Sequence, residues 1–202
     1  MEIICPSLYK FLNFALNNNV EKSILDCGAG GPLPPITIFK RYGFSCFGIE
    51  ISDKKLTESQ RYSKDNNIEL GIIKGDMRNI PFKENAFGFV YSYNSIMHLS
   101  KLDAKRAILE FKRVLKPGGY VFVNFLSMED CSYGKGDKVG DDEFKQIEHG
   151  DEVIHTFYKD DEPDKYFENM DVFFKEKRKI FLKNNGNLHI QSYLEYIAKK
   201  LE

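Results

Sequence analysis

Three acids stand at or just past the ends of short apolar runs, and a cluster of glycines follows the first of them. Asp26 closes the run from Ser23, Glu50 follows Ser45–Ile49, and Asp76 follows Leu70–Lys74; Gly28, Ala29, Gly30 and Gly31 come directly after Asp26 and Cys27. Strand, glycine-rich turn and helix make the geometry of a nucleotide-cofactor site. Glycine lets the chain turn tightly and lets a ligand approach the main chain, and the next helix presents unpaired N–H groups and partial positive charge. Alone, the loop also suits an ordinary strand-to-helix turn, but the acids that follow at regular spacing favour the cofactor site. Glu50, about 24 residues beyond Asp26, falls where such folds place an acid for ribose hydroxyls. Ser52 and Asp53 already supply N-cap chemistry for the next helix, so Glu50 is not needed there. An acid at Asp76 can accept from the exocyclic amino group of a base, and the apolar Ile51 and Met77 can sandwich an adenine ring.

These groups need a scaffold that brings strand ends together. Apolar residues at three- and four-residue spacing predict a helix over 5–18, with Pro6 in its first turn. Strand Ser23–Asp26, a helix from Pro34 to Tyr42 and strand Ser45–Ile49 follow, the two strands parallel through a right-handed crossover. A helix over 54–65 and strand Leu70–Lys74 come next. Ala86–Ser92 is nearly continuous in apolar residues, as a central parallel strand requires. The helix Leu102–Leu115 has Asp103 in its first turn and Lys112 and Arg113 in its last, and strand Tyr120–Leu126 follows Pro117, Gly118 and Gly119. Residues 128–150 are polar and acidic, too long for a plain connection, and read as a lid or an unstructured segment. A short helix is predicted over 164–169. Asp171–Leu182 and Gln191–Lys199 read as an antiparallel pair around Asn184, Asn185 and Gly186.

The chain of 202 residues is long enough for one sizeable domain, and its net charge of −1 gives no global field for nucleic acid or an anionic membrane. Within it, 1–20 reads as an N-terminal helical segment, 21–127 as a cofactor-binding core, 128–170 as a substrate or lid segment and 171–202 as the terminal strand pair. Glu2, Lys10 and Asn13 break the apolar N-terminus, which argues against a signal peptide, and no run approaches the length of a membrane span. Cys5, Cys27, Cys46 and Cys131 lack CxxC spacing, and His98, His149, His155 and His189 form no HExxH pair, so no metal is assigned and a cytoplasmic protein with free thiols is expected.

In order and spacing, ILDCGAGG, FGIEIS, GDMRNIPF, FGFVYSYNSIMHL and RVLKPGGYVFVNF resemble the class I S-adenosylmethionine-dependent methyltransferases, in the small single-domain form, over roughly residues 20–127. The resemblance implies an α/β, Rossmann-like, doubly wound sheet of seven strands in the order 3-2-1-4-5-7-6, the last antiparallel, with helices on both faces. It implies S-adenosyl-L-methionine as cofactor. Gly28, Ala29 and Gly30 would lie under its methionine part and Asp26 near its amino group. Glu50 and Ile51 would meet the ribose, Asp76 and Met77 the adenine, and Ser92 the cofactor through its backbone. Pro32 stands where the family often has a third glycine, and Pro34 and Pro35 make a rigid helix start.

Methyl transfer asks the protein to align a nucleophile and exclude water, so the acceptor side is less legible. Loops at the strand ends offer Tyr93 and Asn94, and the later segment offers Glu143, His155 and Tyr158. His155, in VIHTFY, suits orienting an acceptor or taking its proton, and equally a hydrogen bond inside a half-buried segment. For His98, helix packing is preferred to catalysis. Glu143 suits a cationic acceptor or a solvated acidic loop. The Asn-Pro-Pro-Tyr-type tetrapeptide of adenine and glutamine methylators is absent, and Lys175, Lys177, Arg178 and Lys179 alternate with apolar residues as the solvent side of a strand. A small-molecule acceptor is therefore expected rather than nucleic acid or membrane. A noncatalytic cofactor-binding protein and an NAD-dependent oxidoreductase are the rivals; the second would want GxGxxG, and Leu33 stands at its last position.

Overall fold

The computed structural model describes residues 5–148, 150–184 and 187–201. Its elements are α1 (Pro6–Leu16), β1 (Ser23–Cys27), α2 (Thr37–Arg41), β2 (Ser45–Glu50), α3 (Asp53–Asp65), β3 (Ile72–Lys74), β4 (Phe87–Ser92), α4 (Lys101–Val114), β5 (Leu115–Ser127), β6 (Asp137–Gly140), β7 (Glu143–Glu148), β8 (Asp151–Tyr158), β9 (Met170–Asn184) and β10 (Asn187–Lys200). Short 3-10 turns lie at Ile96–His98 and Glu162–Phe167.

β1 pairs in parallel with β2 and β4, β2 with β3, and β4 with β5. β10 runs antiparallel along β5 from Tyr120 to Leu126, and β9 runs antiparallel to β10. These seven strands have the expected order, the last in the chain lying between the fifth and the one before it. The difference is in number: ten strands are joined, because β6, β7 and β8 form an antiparallel meander attached where Leu126–Ser127 meet Phe157–Tyr158. The polar stretch 128–150 thus contains β6 and β7. Its few apolar groups are enough, because Phe144 packs with Tyr133, Phe157, Leu126 and Met97.

Alternation along the central strands divides the core between two faces. Ile24, Phe89, Tyr91 and Phe122 meet α1 and α2 on one side, where Phe11 lies 5.5 Å from Phe122 and 6.0 Å from both Phe39 and Phe89. Leu25, Val90, Val121 and Val123 meet Ala107, Ile108 and Phe111 of α4 on the other. Ser100 caps α4, its Oγ accepting from Asp103 N at 3.1 Å.

Among the boundaries that differ from the periodicity, three have a local cause. α2 starts at Thr37 rather than Pro34, since Pro35 disfavours helical geometry at Pro34 before it and the chain first makes turn bonds from Thr37 N to Pro34 O and from Ile38 N to Pro35 O. β3 begins at Ile72, after Gly71 at φ +61°. β5 begins at Leu115: a bulge between the Phe87–Leu115 and Phe89–Tyr120 pairs absorbs Pro117 to Gly119. The terminal pair is antiparallel as expected; Asn185 and Gly186 of its turn lie outside the described residues. The basic run on β9 is paired rather than merely solvated: Lys177 and Lys179 meet Glu129, and Arg178 meets the buried Glu195.

Candidate active site

The carboxyl ends of β1, β2 and β4 frame a cavity of about 390 Å³, with Gly28, Glu50, Ile51, Met77, Ser95 and His98 among its walls. Parallel strands end together on this edge, which is where open α/β sheets place ligands. The loop after β1 is tied down by the N–H groups of Gly28 and Ala29, each donating to Ile49 O at 3.0 Å. Gly28 has φ +106°, and a Cβ there would stand 2.5 Å from Ser95 Cβ. Only glycine fits both the backbone angle and the space.

Glu50 is nearly buried, at 6% exposure, and is held at both oxygens: Gly30 N donates to Oε2 at 3.0 Å and Ser52 N to Oε1 at 2.7 Å. A carboxylate oxygen accepts about two hydrogen bonds, so each retains capacity on a fixed group beside the cavity. A Cβ on Gly30 would lie 2.5 Å from Glu50 Oε2, so this glycine is needed for close approach. Ile51 is 55% exposed and lines the same cavity as Met77. A large exposed isoleucine in a concave wall is an apolar platform, as a ring binder requires.

Asp76 lines the cavity but is engaged by its neighbour. Arg78 Nη2 lies 2.6 Å from Oδ2, Nε lies 3.0 Å from both oxygens, and Arg78 Nη1 reaches Asp103 at 2.9 Å. The guanidinium holds the Asp76 carboxyl below its ordinary pKa. Asp26 lies beneath the loop and is buried; Tyr91 donates its hydroxyl to Oδ2 at 2.5 Å. Burial raises the Asp26 pKa to about 7, against the opposing Tyr91 bond and with a further push from Glu50. Ala29 and Ser92 are also fully buried, and Ser92 Oγ has no hydrogen-bond partner among the described residues.

The acceptor candidates separate. Asn94 lines the cavity in a left-handed conformation, φ +54°, held by Asn124: Asn94 N donates to Asn124 Oδ1 at 2.8 Å and Asn124 Nδ2 to Asn94 Oδ1 at 2.6 Å. Tyr93 turns to the α1 face, where burial pushes its hydroxyl up to about 12. Glu143 accepts from Lys101 N at 2.7 Å and so holds the start of α4. Tyr158 is buried in the α4-side core. His155 lies on β8 behind the cavity wall, close to His98, with ring centroids 5.1 Å apart. Lys55, Ser95, Leu99 and Val153 also line the cavity, and periodicity offers no signal for any of them.

Fold and cavity together define a Rossmann-like protein with a cleft suited to a nucleoside, fixed acid on one side and apolar walls on another. Residues 25–123 match the family model described as a methyltransferase domain. The sterol 24-C-methyltransferase of Pneumocystis carinii is 34% identical over 136 residues, covering 65% of this chain and 34% of that protein. The chain spans about a third of the length of the curated relatives it matches. In fold, the PH0226 protein of Pyrococcus horikoshii superposes with a TM-score of 0.70 at 22% identity, over 96% of this chain and 88% of that one. An S-adenosylmethionine-dependent methyltransferase from Methanosarcina mazei also gives 0.70, at 18% identity, over 94% and 97%. Residues 25–123 are thus similar to a methyltransferase domain, and the fold of the chain is like that of the solved S-adenosylmethionine-dependent methyltransferase.

Proposed function

We propose that the protein transfers a methyl group from S-adenosylmethionine to a small-molecule acceptor. The observation that carries this is the doubly anchored Glu50 carboxylate beside the exposed Ile51, directly across the Gly30 contact from the glycine loop. Glu50 accepts from the ribose hydroxyls, Ile51 and Met77 flank the adenine, and the Gly28–Gly30 turn lets the methionine part lie against the main chain. Asp76 offers its carboxylate to the base edge from within its Arg78 fork. Asp26 and Tyr91 form a buried floor that keeps the loop in place, and Ser92 belongs to the same floor. When bound, the cofactor would supply an activated sulfonium methyl for an electron pair of the acceptor. The protein's share is alignment and exclusion of water. Asn94, fixed by Asn124, and His98 mark the wall from which the acceptor approaches.

Support for a small-molecule acceptor comes from the names of curated relatives, sterol 24-C-methyltransferase and norajmaline N-methyltransferase. Four free cysteines support a cytoplasmic placement. Among the described residues no helix is long and apolar enough to cross a membrane. The test is transfer of isotope-labelled methyl from S-adenosylmethionine to a panel of alcohol, amine, thiol and alkene acceptors. Label should appear in at least one product with wild-type protein and fall in step with cofactor affinity in Glu50→Ala. Cofactor binding with no transfer to any acceptor class would favour a noncatalytic binder.

A further inference from the structure

Behind the His98 wall, three groups from separate stretches of chain converge. His98 comes from the 3-10 turn after β4, Glu148 from β7 and His155 from β8. One ligand atom from each lies within 4.8 Å of the others. His98 Nε2 is 3.7 Å and His155 Nε2 3.4 Å from Glu148 Oε2.

The outer bonds set which nitrogen of each ring faces the carboxylate. His98 Nδ1 is 3.2 Å from Ile154 O, an acceptor only, so Nδ1 carries the hydrogen. Gln146 Nε2 donates to Ser132 O at 2.9 Å and to Lys135 O at 3.1 Å, which fixes the amide orientation and turns Oε1 to His155 Nδ1 at 3.0 Å. That nitrogen must also carry its hydrogen. Each ring therefore turns its Nε2 toward the same Glu148 oxygen. A cation held between both Nε2 atoms and the carboxylate oxygen engages all three groups at once, whereas a proton on one ring makes a single ion pair with Glu148. Imidazoles oriented through Nδ1–H by a backbone carbonyl and a side-chain carbonyl have the outer support that metal ligands have.

We propose that His98, Glu148 and His155 bind one divalent ion of the zinc class through Nε2, a carboxylate oxygen and Nε2. A four-coordinate ion with bonds of roughly 2.0–2.1 Å sets neighbouring ligand atoms about 3.3 Å apart. Six-coordinate magnesium geometry brings adjacent ligands to about 3.0 Å, and magnesium takes oxygen in preference to imidazole. The observed 3.4 and 3.7 Å lie nearer the four-coordinate case. The ion would tie the β7–β8 meander to the wall of the cavity, with a fourth position left for water or ligand. The inference stands on the side-chain geometry and is independent of the methyl-transfer reading.

The probe is Co²⁺, followed by Zn²⁺ competition, added to chelator-treated full-length protein. One equivalent of Co²⁺ should give the intense visible bands of four-coordinate cobalt, and Zn²⁺ should abolish them. Losing an outer partner alone costs about 10–100-fold in metal affinity, so Gln146→Ala should weaken Zn²⁺ binding about tenfold, and His155→Ala or Glu148→Ala at least a hundredfold. A thermal melt of each variant checks that the fold survives; Glu148→Ala, at a half-exposed side chain, serves if His155→Ala does not fold. No stoichiometric Co²⁺ spectrum in the wild type would overturn the site, as would Zn²⁺ affinity unchanged in a folded Glu148→Ala or His155→Ala.

Discussion

Removing the Glu50 carboxylate should weaken cofactor binding far more than it weakens the fold. Both oxygens accept main-chain N–H groups, so the carboxylate cannot rotate away from the cavity, and its remaining lone pairs would meet ribose hydroxyls at no further ordering cost. A hydrogen bond to a charged group contributes about 1.5–3 kcal/mol. Two ribose bonds at the lower end give about 3 kcal/mol, or about 150-fold in affinity, and water refilling the alanine cavity offsets part of it. Glu50→Ala is therefore expected to raise the S-adenosylhomocysteine Kd by at least about tenfold and up to about a hundredfold. Glu50→Gln should cost nearly as much, because its amide NH₂ must face a main-chain donor at Gly30 or Ser52. The stability cost is smaller, about 1 kcal/mol for each orphaned N–H, since both lie close enough to the cavity for water to reach. Calorimetric titration with S-adenosylhomocysteine gives the affinity, and a thermal melt gives the fold. A folded Glu50→Ala variant with a Kd within threefold of wild type would refute the ribose assignment.

Gly28→Val meets both a positive φ and the Ser95 Cβ, so at least tenfold weaker S-adenosylhomocysteine binding is expected, with about 1–3 kcal/mol of lost stability in urea unfolding. The Asp26 carboxyl has its pKa raised to about 7, against about 3.9 unfolded, so the folded state binds more protons between those values and the Asp26 contribution to stability falls as pH rises from about 4 to about 7. The unfolding free energy of wild type minus that of Asp26→Asn should drop by up to about 1.4 kcal/mol per pH unit across that range and level off above it; a flat difference would contradict the assignment. Glu143→Ala should cost about 1 kcal/mol through the start of α4 and leave the acceptor KM unchanged, which separates a helix-supporting role from an acceptor-binding one.

Local pattern makes some of this molecule legible and tertiary pairing hides the rest. The buried parallel strands read clearly because β1 and β4 are covered on both faces and need unbroken apolar runs. Glu50 was readable for a similar reason, since an acid ending such a run needs a purpose. The state of Asp76 was not, because it depends on Arg78 folding back over two residues. The meander was hidden in polar sequence: its strands are half-exposed and share one small cluster around Phe144. Tyr93 and Asn94 are neighbours in sequence but diverge to opposite sides of the sheet edge, Asn94 being held at the cavity by its left-handed φ and its two bonds to Asn124. The His98, Glu148 and His155 grouping has no sequence spacing to betray it, because the β7–β8 pairing brings its members together.

The most direct test of the central claim is a calorimetric titration of the protein with S-adenosylmethionine, S-adenosylhomocysteine and NAD in one buffer. Binding of the first two at micromolar concentration, with none of NAD, is the expected result. Binding of NAD alone, or of none of the three, would contradict the assignment of this cavity to S-adenosylmethionine.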